Sequence, residues 1–469
     1  MSLLPALPRR IHFSGIGGAG MSGLARVLHE AGHQVSGSDR DETPLVAELR
    51  ALGIPVRAQQ GGLPEETDLV IRTAAIPLAH PELAEATRRG IPILRRAELL
   101  GRLCETPVSV AVAGTHGKTT ITAMTARLLE ACVPGAGWFI GGQHDSLPSA
   151  RLGAGQVRVC EADEFDRSFL ELHPTHLLLG AVDWDHADIY LTRALMEEAF
   201  DQLAEQIRGD APVIQQLGGS ALGGEPWVPA CVLKGRRRRL TVGEERDCDL
   251  RVIPRGGAGN CFDLVSRTAP DGGSQGLRLP VRLGLPGAHN RLNAATALGW
   301  LLFGEWGGHV DPAAAAAALA DFSGLQRRFQ LVAVSGSRRL YDDYAHHPSE
   351  IAAFLKGLRE ISRGPVTLIH QPHTFSRVRA FAQATGEALS AADRAILWPV
   401  FAARELPEDG ISHRSILPWL TAPRSLALDT PAELFAELER SLAPDEIVAT
   451  VGAGDLYKLH GELARILAR

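Results

Sequence analysis

The sequence predicts an α/β protein of three domains, with a Rossmann-like domain at each end and a central P-loop ATPase domain whose sheet is mostly parallel. Three observations predict this class. Short apolar strands alternate with amphipathic helices along most of the chain. Two glycine-rich loops each follow a strand and open a helix. At 469 residues the chain also exceeds one ordinary hydrophobic core, and about three domains is the expected number.

The first segment, residues 1–103, begins as a strand, loop, helix and strand. RIHFSG is a short apolar strand, and the glycine loop GIGGAG follows it directly. Leu24, Val27 and Leu28 share one face of the next helix. Gly32 is placed to end that helix, and HQVSGSD is then the second strand. This pattern predicts a parallel βαβ sheet of the kind that binds dinucleotides or sugar nucleotides.

The central segment, residues 104–322, opens on the buried-type strand TPVSVAVAG, which runs into a second glycine loop. Ile121, Met124 and Leu128 mark the helix after that loop, and QVRVCEAD and HLLLGAVDWDH predict further strands of the same sheet. Residues 208–285 are rich in Gly and Pro and predict a small antiparallel excursion or long loops. The basic run KGRRRR within them is expected to be a solvated hairpin or loop.

Two helices close the central segment, and a third α/β block follows it. LPGAHNRLNAATALGWLL starts one helix, and DPAAAAAALADF predicts another, with Asp311 as N-cap and Pro312 at its first position. The last segment, residues 323–469, carries the strands RRLYDDYA, PVTLIHQP, AILWPVFA and EIVATVGAG. Each strand leads toward a loop or helix, as in the first two segments.

Composition and charge exclude several classes of protein. Hydrophobic residues make up 45% of the chain and charged residues 22%, and the net charge of -6 gives no reason to expect nucleic acid or an anionic membrane as a partner. No apolar stretch approaches the roughly 20 residues that span a bilayer, and no secretory signal is visible. The scattered cysteines form no C-x-x-C pair, which fits a reducing compartment. We therefore expect a cytoplasmic monomer or homodimer.

The first glycine loop predicts a site for a diphosphate. Gly15, Gly17 and Gly20 satisfy G-x-G-x-x-G between a strand and a helix, and Asp39 follows where a ribose-binding acid is expected. Backbone amides and a helix N-terminus would face the diphosphate. This chemistry does not distinguish NAD from a UDP-sugar, so both ligands stay open on the motif alone.

The second glycine loop, GTHGKTT, predicts binding of a nucleoside triphosphate. It is a shortened P-loop, because Val112 stands where a standard P-loop has its first glycine. The Lys118 ammonium would neutralise phosphate charge, and Thr119 would present its hydroxyl to magnesium. Packing alone does not explain glycines at both ends of a turn that opens a helix.

Acidic residues and a histidine follow two strands of the central segment and predict metal ligands. CEADEFD places four acids at the end of a strand, and a magnesium ligand is expected among Glu161, Asp163, Glu164 and Asp166. His186 lies beside Asp183 and Asp185 at the end of the next strand and could ligate a second metal ion. A solvated acidic surface and a structural histidine are the ordinary alternatives.

Two clusters in the last segment, DDYAHHPSE and HQPHTFSRVR, predict ligand contacts. Helix capping by Ser349 and Ser376 explains part of their composition. It does not explain the paired histidines beside Asp343 or the arginines Arg377 and Arg379. These side chains are therefore candidates for substrate binding.

Together, these stretches resemble the Mur ligases. The N-terminal IHFSGIGGAGMSGLARVLHEAGHQVSGSD is similar to a motif of that family, and GTHGKTT, EADEFDRSF, DHADIY, PGAHNRLNA, QRRF, DDYAHHP, QPHTFSRVR and VGAGD follow in the family's order. The resemblance covers essentially the whole chain. It implies an ATP- and Mg²⁺-dependent ligase that joins L-alanine to the carboxylate of UDP-N-acetylmuramate through an acyl phosphate. In this family the first glycine loop holds the UDP-sugar and the shortened loop holds ATP.

The resemblance also implies the site residues. Nucleotide-sugar binding is assigned to Gly15, Gly17, Gly18, Gly20, Ser38 and Asp39. ATP binding is assigned to Gly114, Thr115, His116, Gly117, Lys118, Thr119, Thr120, His289, Asn290, Asn293, Arg328 and Asp343. The amino-acid side is assigned to Tyr344, His346 and Arg377, and the metal ligands to Thr119, Glu161 and His186. The residues expected to carry catalysis are Lys118, Glu161, His186, His346 and Arg377.

Four positions depart from the family pattern: Ala181, Trp184, Ala187 and Thr374. Thr374 stands where many family members carry an arginine that faces the carboxylate of the amino acid. A catalytically impaired nucleotide-sugar-binding protein is therefore one alternative, and a peptide-recycling ligase on the same nucleotide sugar is another. An NAD-dependent oxidoreductase would explain only residues 11–39 and would leave the P-loop unused.

Overall fold

The computed structural model describes residues 7–59, 61–144, 146–186, 189–218, 227–256, 259–304, 306–403 and 405–469. These residues form three β-sheets of five, ten and six strands, flanked by helices. The sheets are mostly parallel, which confirms the predicted α/β class. One sheet falls within each of the three predicted segments, and the division at residues 103 and 322 remains a prediction.

The first sheet is entirely parallel, with the order β3-β2-β1-β4-β5. Its strands are β1 (Arg10–Ser14), β2 (Gln34–Asp39), β3 (Val56–Ala58), β4 (Leu69–Arg72) and β5 (Ile93–Arg95). Its helices are α1 (Ala19–Glu30), α2 (Pro44–Ala51), α3 (Pro81–Arg88) and α4 (Arg96–Leu103). The chain leaves β1 for β2 on one side and returns to β4 on the other, which opens a crevice at the end of β1 where ligands bind in such sheets.

The central sheet has ten strands in the order β15-β14-β13-β12-β11-β10-β6-β9-β7-β8. They are β6 (Val108–Ala113), β7 (Gly137–Phe139), β8 (Ala150–Arg151), β9 (Val157–Glu161), β10 (His176–Leu179), β11 (Val213–Gln216), β12 (Arg239–Gly243), β13 (Leu250–Pro254), β14 (Cys261–Ser266) and β15 (Arg278–Arg282). The helices are α5 (Lys118–Cys132), α6 (Arg193–Glu205), α7 (Ala230–Leu233), α8 (Ala288–Phe303) and α9 (Pro312–Ala318). A 3₁₀ segment, Phe165–Glu171, follows β9.

The interpretation of residues 208–285 as an excursion or long loops was wrong in one respect. Strands β11 to β13 extend the parallel part of the central sheet, and only β14 and β15 add antiparallel strands. Each of these strands is short and lies between Gly- and Pro-rich turns, which hides the pattern in sequence. The basic run is a loop, one of the two forms predicted for it, because Lys234 follows α7 and Arg239 begins β12.

The third sheet has the order β16-β17-β21-β18-β19-β20, and only the edge strand β16 is antiparallel. Its strands are β16 (Gln330–Ser335), β17 (Arg338–Asp343), β18 (Val366–His370), β19 (Arg394–Leu397), β20 (Leu426–Ala427) and β21 (Ile447–Val451). Its helices are α10 (Pro348–Ile361), α11 (Phe375–Leu389), α12 (Pro431–Ser441) and α13 (His460–Leu467), with 3₁₀ segments at His413–Trp419 and Leu456–Leu459. Asp311 caps α9 through two backbone amides, as predicted.

The predicted site residues follow the carboxyl ends of parallel strands in all three sheets. The first glycine loop follows β1, the second follows β6, and the acidic loop follows β9. The clusters DDYAHHPSE and HQPHTFSRVR lie at the ends of β17 and β18. Because these strand ends lie at one edge of each sheet, the three edges can share one cavity. No helix among the described residues is long and apolar enough to cross a membrane.

Candidate active site

The first glycine loop joins β1 to α1 and is held by β2. Gly15 has a φ of 81°, in the left-handed region that favours glycine. Its amide donates to the Ser38 carbonyl at 2.9 Å. The Gly17 amide donates to Asp39 Oδ2 at 2.7 Å, and a Cβ on Gly17 would lie 2.9 Å from the same oxygen. Asp39 therefore holds the loop in shape.

A buried carboxylate that the sequence analysis missed lies beneath this loop. Ser14 Oγ and Ser38 Oγ both donate to Glu82 Oε2, at 2.5 and 2.8 Å. Burial would raise the pKa of Glu82, but the nearby His12 ring and the hydrogen bonds from Ser14 and Ser38 lower it to about 2. The Ser38 hydroxyl, predicted to bind substrate, is therefore bonded to Glu82. The helix PELAEATR gives no signal that one of its acids is fully buried.

A cavity of about 400 Å³ lies between the first glycine loop and the acidic loop. Gly18 and Gly20 line it on one side, and Glu161 and Asp163 line it on the other. Arg96, at the start of α4, also lines it, with Nη2 3.8 Å from Asp163 Oδ2. Arg96 is thus a candidate anion-binding residue that sequence reasoning missed, because an arginine in a first helical turn carries no distinctive pattern.

The second glycine loop joins β6 to α5 and depends on two glycines. Gly114 and Gly117 have φ values of 125° and 82°, and a Cβ on Gly117 would lie 2.7 Å from Asn293 Oδ1 of α8. The amides of Thr115 and His116 donate to the Ala181 carbonyl at 2.8 and 3.1 Å. Ala181 therefore acts on this loop through its backbone carbonyl.

Lys118 begins α5 and points back across the loop. Its ammonium donates to the carbonyls of Gly114 and Thr115, at 2.8 and 3.2 Å, and lies 2.7 Å from a carboxylate oxygen of Glu164. Burial would raise the pKa of Glu164, but Lys118 and His186 lower it overall. Glu164, one of the four predicted acids, is therefore the counterion of the P-loop lysine.

Thr119 and Glu161 meet at the cavity wall, as the metal prediction requires. Thr119 Oγ1 donates to Glu161 Oε1 at 3.0 Å, and Glu161 Oε2 accepts the Gly141 amide at 3.0 Å. Burial raises the pKa of Glu161, and the Lys118 ammonium opposes that shift. A hydroxyl and a buried carboxylate with converging oxygens fit Mg²⁺, which prefers oxygen ligands.

His186 lies between an acid of the central segment and an arginine of the last segment. Its Nε2 is 3.6 Å from Glu164 Oε1, and its Nδ1 is 3.4 Å from Arg377 Nη2. Burial would lower the pKa of His186, but Glu164 and Asp185 raise it overall. Metal binding needs the neutral ring, so a metal ion at His186 would have to displace the ring proton that Glu164 and Asp185 favour.

Arg377 binds Asp185 through a buried, forked ion pair. Its Nη2 lies 2.8 Å from both carboxylate oxygens, and its Nε lies 3.0 Å from Oδ1. Arg377 Nη1 also lies 3.2 Å from His373 Nδ1. Burial would raise the pKa of Asp185, but Arg377 holds it well below its usual range. This pair joins the loop after β10 to α11.

Several of the residues predicted to bind ATP lie around a small cavity of about 80 Å³. Its walls come from the second glycine loop, α8 and α10, and they include His116, Gly117, Thr120, His289, Asn290, Asn293, Arg328 and Asp343. Asn290 Nδ2 donates to the Pro286 carbonyl at 2.7 Å. Burial lowers the pKa of His289 to about 4, so this ring is neutral at pH 7.

Two arginines of the segment before β16 lie over the ring of Tyr344. Arg327 Cζ and Arg328 Cζ lie 4.9 and 5.0 Å from the centre of the Tyr344 ring, within the range of cation–π attraction. Asp343 accepts the amides of Phe329 and Ala345 at 2.7 and 2.8 Å. Both carboxylate oxygens of Asp343, which is predicted to contact ATP, therefore accept hydrogen bonds from backbone amides.

His346 has a defined tautomer. Its Nδ1 lies 3.1 Å from the Tyr344 carbonyl, which can only accept, so Nδ1 carries the hydrogen and Nε2 is left as an acceptor. Burial, with the nearby Arg377, lowers the pKa of His346 to about 3. A neutral imidazole with an unprotonated nitrogen suits contact with an amine.

His116 contacts two carboxylates that lie outside its own loop. Its Nε2 lies 2.8 Å from Asp183 Oδ2, and its Nδ1 lies 3.4 Å from Glu350 Oε1 of α10. Ser349 Oγ donates to the same Asp183 oxygen at 2.8 Å.

The prediction that Ser349 caps α10 was therefore wrong, because the His347 side chain accepts the Ser349 amide instead.

One cavity of about 1060 Å³ brings together residues of all three segments. The predicted residues that line it are Gly17, Thr115, Lys118, Thr119, Glu161, His186, Arg328, Tyr344, His346 and Arg377. The other predicted site residues line the two smaller cavities or lie beneath the loops. A ligand in the large cavity can thus reach the P-loop lysine, the predicted metal ligands and the histidine cluster at once.

Comparisons with known proteins agree with this arrangement. Residues 10–106 match the family model described as Mur ligase family, catalytic domain, and residues 327–454 match Mur ligase, glutamate ligase domain. The UDP-N-acetylmuramate–L-alanine ligase of Mycolicibacterium vanbaalenii is 38% identical to the chain, over 99% of the chain and 98% of that protein. The chain belongs to the Mur ligase family.

Other members of the Mur ligase family match the chain over its full length. The UDP-N-acetylmuramate–L-alanine ligase of Rubrobacter xylanophilus is 36% identical, over 97% of the chain and 99% of that protein. The crystal structure of the UDP-N-acetylmuramate–alanine ligase of Thermotoga maritima matches with a TM-score of 0.75 and 26% identity, over 97% of the chain and 98% of that structure. A murein peptide ligase of Psychrobacter arcticus shares the fold, with a TM-score of 0.67 and 21% identity, over 98% and 99% of the two chains.

The described residues that depart from the Mur ligase pattern have structural explanations or lie at the cavity wall, and Ala187 lies outside the described part of the chain. Trp184 Nε1 donates to the Tyr190 carbonyl at 2.9 Å, and its ring packs against Phe381 of α11. Trp184 thus fills a contact between segments. Thr374 lines the large cavity with a φ of 61°, which is a strained value for a β-branched residue. Its Oγ1 lies 3.2 Å from Ser376 Oγ.

We expect the charge on His116 to stabilise the fold in a pH-dependent way. Burial would lower the pKa of His116, but hydrogen bonds to Asp183 and Glu350 raise it to about 9. The unfolded value is about 6.5. The stabilisation is therefore fully present below pH 6.5 and is lost as the pH rises through 9. It amounts to about 3 kcal/mol at most.

Thermal unfolding of the parent protein and of His116→Asn at pH 6 and pH 9.5 tests this expectation. The difference in Tm between the two proteins should be largest at pH 6 and should shrink at pH 9.5. A difference that stays constant between the two pH values would show that the ring is not a charged bridge.

Proposed function

We propose that this chain is an ATP-dependent ligase that joins L-alanine to the carboxylate of UDP-N-acetylmuramate and releases ADP and phosphate, in peptidoglycan precursor synthesis. The observation that carries the proposal is the large cavity lined from all three segments by a P-loop lysine, an acid–hydroxyl pair and neutral or paired histidines. The names and full-length similarity of the M. vanbaalenii and R. xylanophilus relatives support the choice of substrates.

The chemistry follows from the poor reactivity of a carboxylate as an acyl donor. A carboxylate oxygen attacks the γ-phosphorus of ATP, and the bond between that phosphorus and the bridging oxygen breaks. ADP is released, and an acyl phosphate remains. The alanine amine then adds to the acyl carbon, and the tetrahedral intermediate expels phosphate as the amide forms. Much of the work is electrostatic, because a carboxylate must approach a triphosphate. Lys118, which now contacts Glu164, is the cation at the phosphate loop.

Thr119 and Glu161 would hold one Mg²⁺, and His186 would ligate a second Mg²⁺. When bound, the metal offsets the charge on the phosphate oxygens and polarises the transferring phosphoryl group. The donor set of hydroxyl and carboxylate supports the first site more strongly than the second, since His186 is paired with Glu164.

The amine side of the reaction would involve His346 and Arg377. The Nε2 of His346 is an acceptor and can receive a hydrogen bond from the incoming amine. Arg377, although paired with Asp185, lies beside His373 and can contribute positive charge toward a carboxylate in the cavity. We further propose a cytoplasmic location, which the six free cysteines support.

Release of phosphate from ATP is the experiment that tests the function. The protein is incubated with ATP and Mg²⁺, and UDP-N-acetylmuramate and L-alanine are added singly and together. We expect phosphate release that requires both substrates, with a product heavier by one alanyl residue. Binding of both substrates without phosphate would favour an impaired binding protein. Activity only with a preformed peptide in place of alanine would favour a peptide-recycling ligase.

We expect Lys118→Ala to lower kcat by at least ~100-fold, because a positioned charge that stabilises the transition state is lost. The matched control is Lys458→Ala, which removes an exposed lysine paired with Asp455 and should leave kcat unchanged. Steady-state kinetics and a Tm for each variant make the measurement. A loss of only a few-fold in a folded Lys118→Ala protein contradicts the assigned role.

Glu161→Gln should raise the Mg²⁺ concentration needed for half-maximal activity by at least about tenfold, because one charged oxygen ligand is replaced by a neutral one. Glu171→Gln is the control, since Glu171 pairs with Arg95 at the protein surface. Titration of activity against Mg²⁺ at saturating substrates gives the result. Equal Mg²⁺ dependence of the two variants would remove Glu161 from the metal site.

A further inference from the structure

Glu350 is a buried carboxylate in the first turn of α10 that the chemistry above does not use. One of its oxygens faces the nucleotide side: Oε1 lies 3.4 Å from His116 Nδ1 and 3.8 Å from Arg328 Nη1. The other faces the amine side: Oε2 accepts the His346 amide at 3.1 Å and lies 3.4 Å from His346 Nδ1. A single carboxylate thus touches the ATP loop and the predicted amine-side histidine.

His116, which contacts Glu350, also binds Asp183 in the loop after β10 of the central sheet. His116 Nε2 and Ser349 Oγ share one oxygen of Asp183, each at 2.8 Å. Asp183 is in turn tied to the loop, because its amide donates to Thr115 Oγ1 at 3.0 Å and its carbonyl accepts that hydroxyl at 2.7 Å. The first turn of α10 is therefore attached to the second glycine loop through both Ser349 and Glu350.

These contacts use the ring nitrogens for hydrogen bonds instead of metal binding. His116, Asp183 and His347 are the described residues whose potential ligand atoms all lie within 4.8 Å of one another. However, His116 bonds Asp183 directly, and His347 accepts the Ser349 amide and lies 3.3 Å from the Trp184 carbonyl. The group is therefore a proton-bearing link between two parts of the chain.

The orientation of His346 depends on the same carboxylate. The ring of His346 packs edge-on against Tyr344 and His373, at centroid distances of 5.6 and 5.7 Å. Its Nδ1 is fixed by the Tyr344 carbonyl and by Glu350, so its Nε2 is held on the side that lines the large cavity. A movement of Glu350 would turn or shift the nitrogen that meets the amine.

We propose that Glu350, held by His116 of the ATP loop, is a positioning residue that sets His346 in place for the incoming amine. The inference rests on the proposed ligase function. It assigns no direct contact with substrate to Glu350. The pair of Glu350 and His116 acts on the second half of the reaction, the attack of the amine on the acyl phosphate.

The test compares Glu350→Gln, His116→Asn and the double variant with a matched control on the same helix. Glutamine keeps the size of Glu350 and an acceptor for the His346 amide but loses the charge facing His116. The control is Glu360→Gln, because Glu360 joins α10 to helix α8 of the central segment, through Arg291 at 3.0 Å, yet lies outside the three cavities. Both variants break an ion pair that docks α10.

We expect Glu350→Gln to raise the KM for L-alanine at least about tenfold, as a small misplacement of a reacting group does. The KM for UDP-N-acetylmuramate should stay within about twofold, and the double variant should be no worse than the more impaired single variant, because both remove one link. Glu360→Gln should leave the KM for alanine unchanged. If Glu350 had only a structural role, Glu350→Gln would lower Tm without raising the KM for alanine more than the KM for UDP-N-acetylmuramate.

A second readout isolates the first half of the reaction. Exchange of labelled ADP into ATP, with UDP-N-acetylmuramate present and alanine omitted, reports formation of the acyl phosphate. Glu350→Gln should retain this exchange. Exchange that falls as far as ligation, an unchanged KM for alanine, or the same effect in Glu360→Gln would each overturn the inference. Failure of the parent protein to ligate would instead reject the proposed function itself.

Discussion

The ion pair between Lys118 and Glu164 is the interaction on which the site depends. The lysine must carry its charge at the end of a buried strand, where an unpaired ammonium would be strongly destabilising. Glu164 compensates that charge, and two loop carbonyls complete its hydrogen bonds. The same carboxylate lies beside His186. In the proposed reaction, the triphosphate would take the place of Glu164 as the counterion of Lys118.

Other charges are paired across the boundaries between segments. Arg377 of α11 binds Asp185 after β10, His116 of the ATP loop reaches Glu350 of α10, and both pairs are largely buried. Removing one partner of such a pair leaves an uncompensated charge, so these contacts couple the docking of the segments to the arrangement of the site. Domain closure and assembly of the catalytic groups are therefore expected to be one event.

Much of the site was predictable because its residues follow strand ends in short motifs. The glycine loops follow recognised strands and Thr119 contacts Glu161, as the motifs indicate, while the roles of these residues in binding remain predictions. Partners brought from far along the chain were not predictable. Nothing near Glu82 or Glu350 in the sequence indicates burial, and Arg96 sits in an ordinary helix start. Their roles come from neighbours 44 to 234 residues away.

The sequence by itself determined the α/β class, the two glycine loops between strand and helix, and the family, because strand–helix periodicity and glycine positions are local properties of the backbone. Only the tertiary structure decided which polar group each side chain serves. His116 and Asp343 look like ATP contacts in their motifs, yet one bridges two carboxylates and the other accepts two backbone amides. Long-range packing fixes such pairings, since a buried charge takes the partner that the fold brings to it.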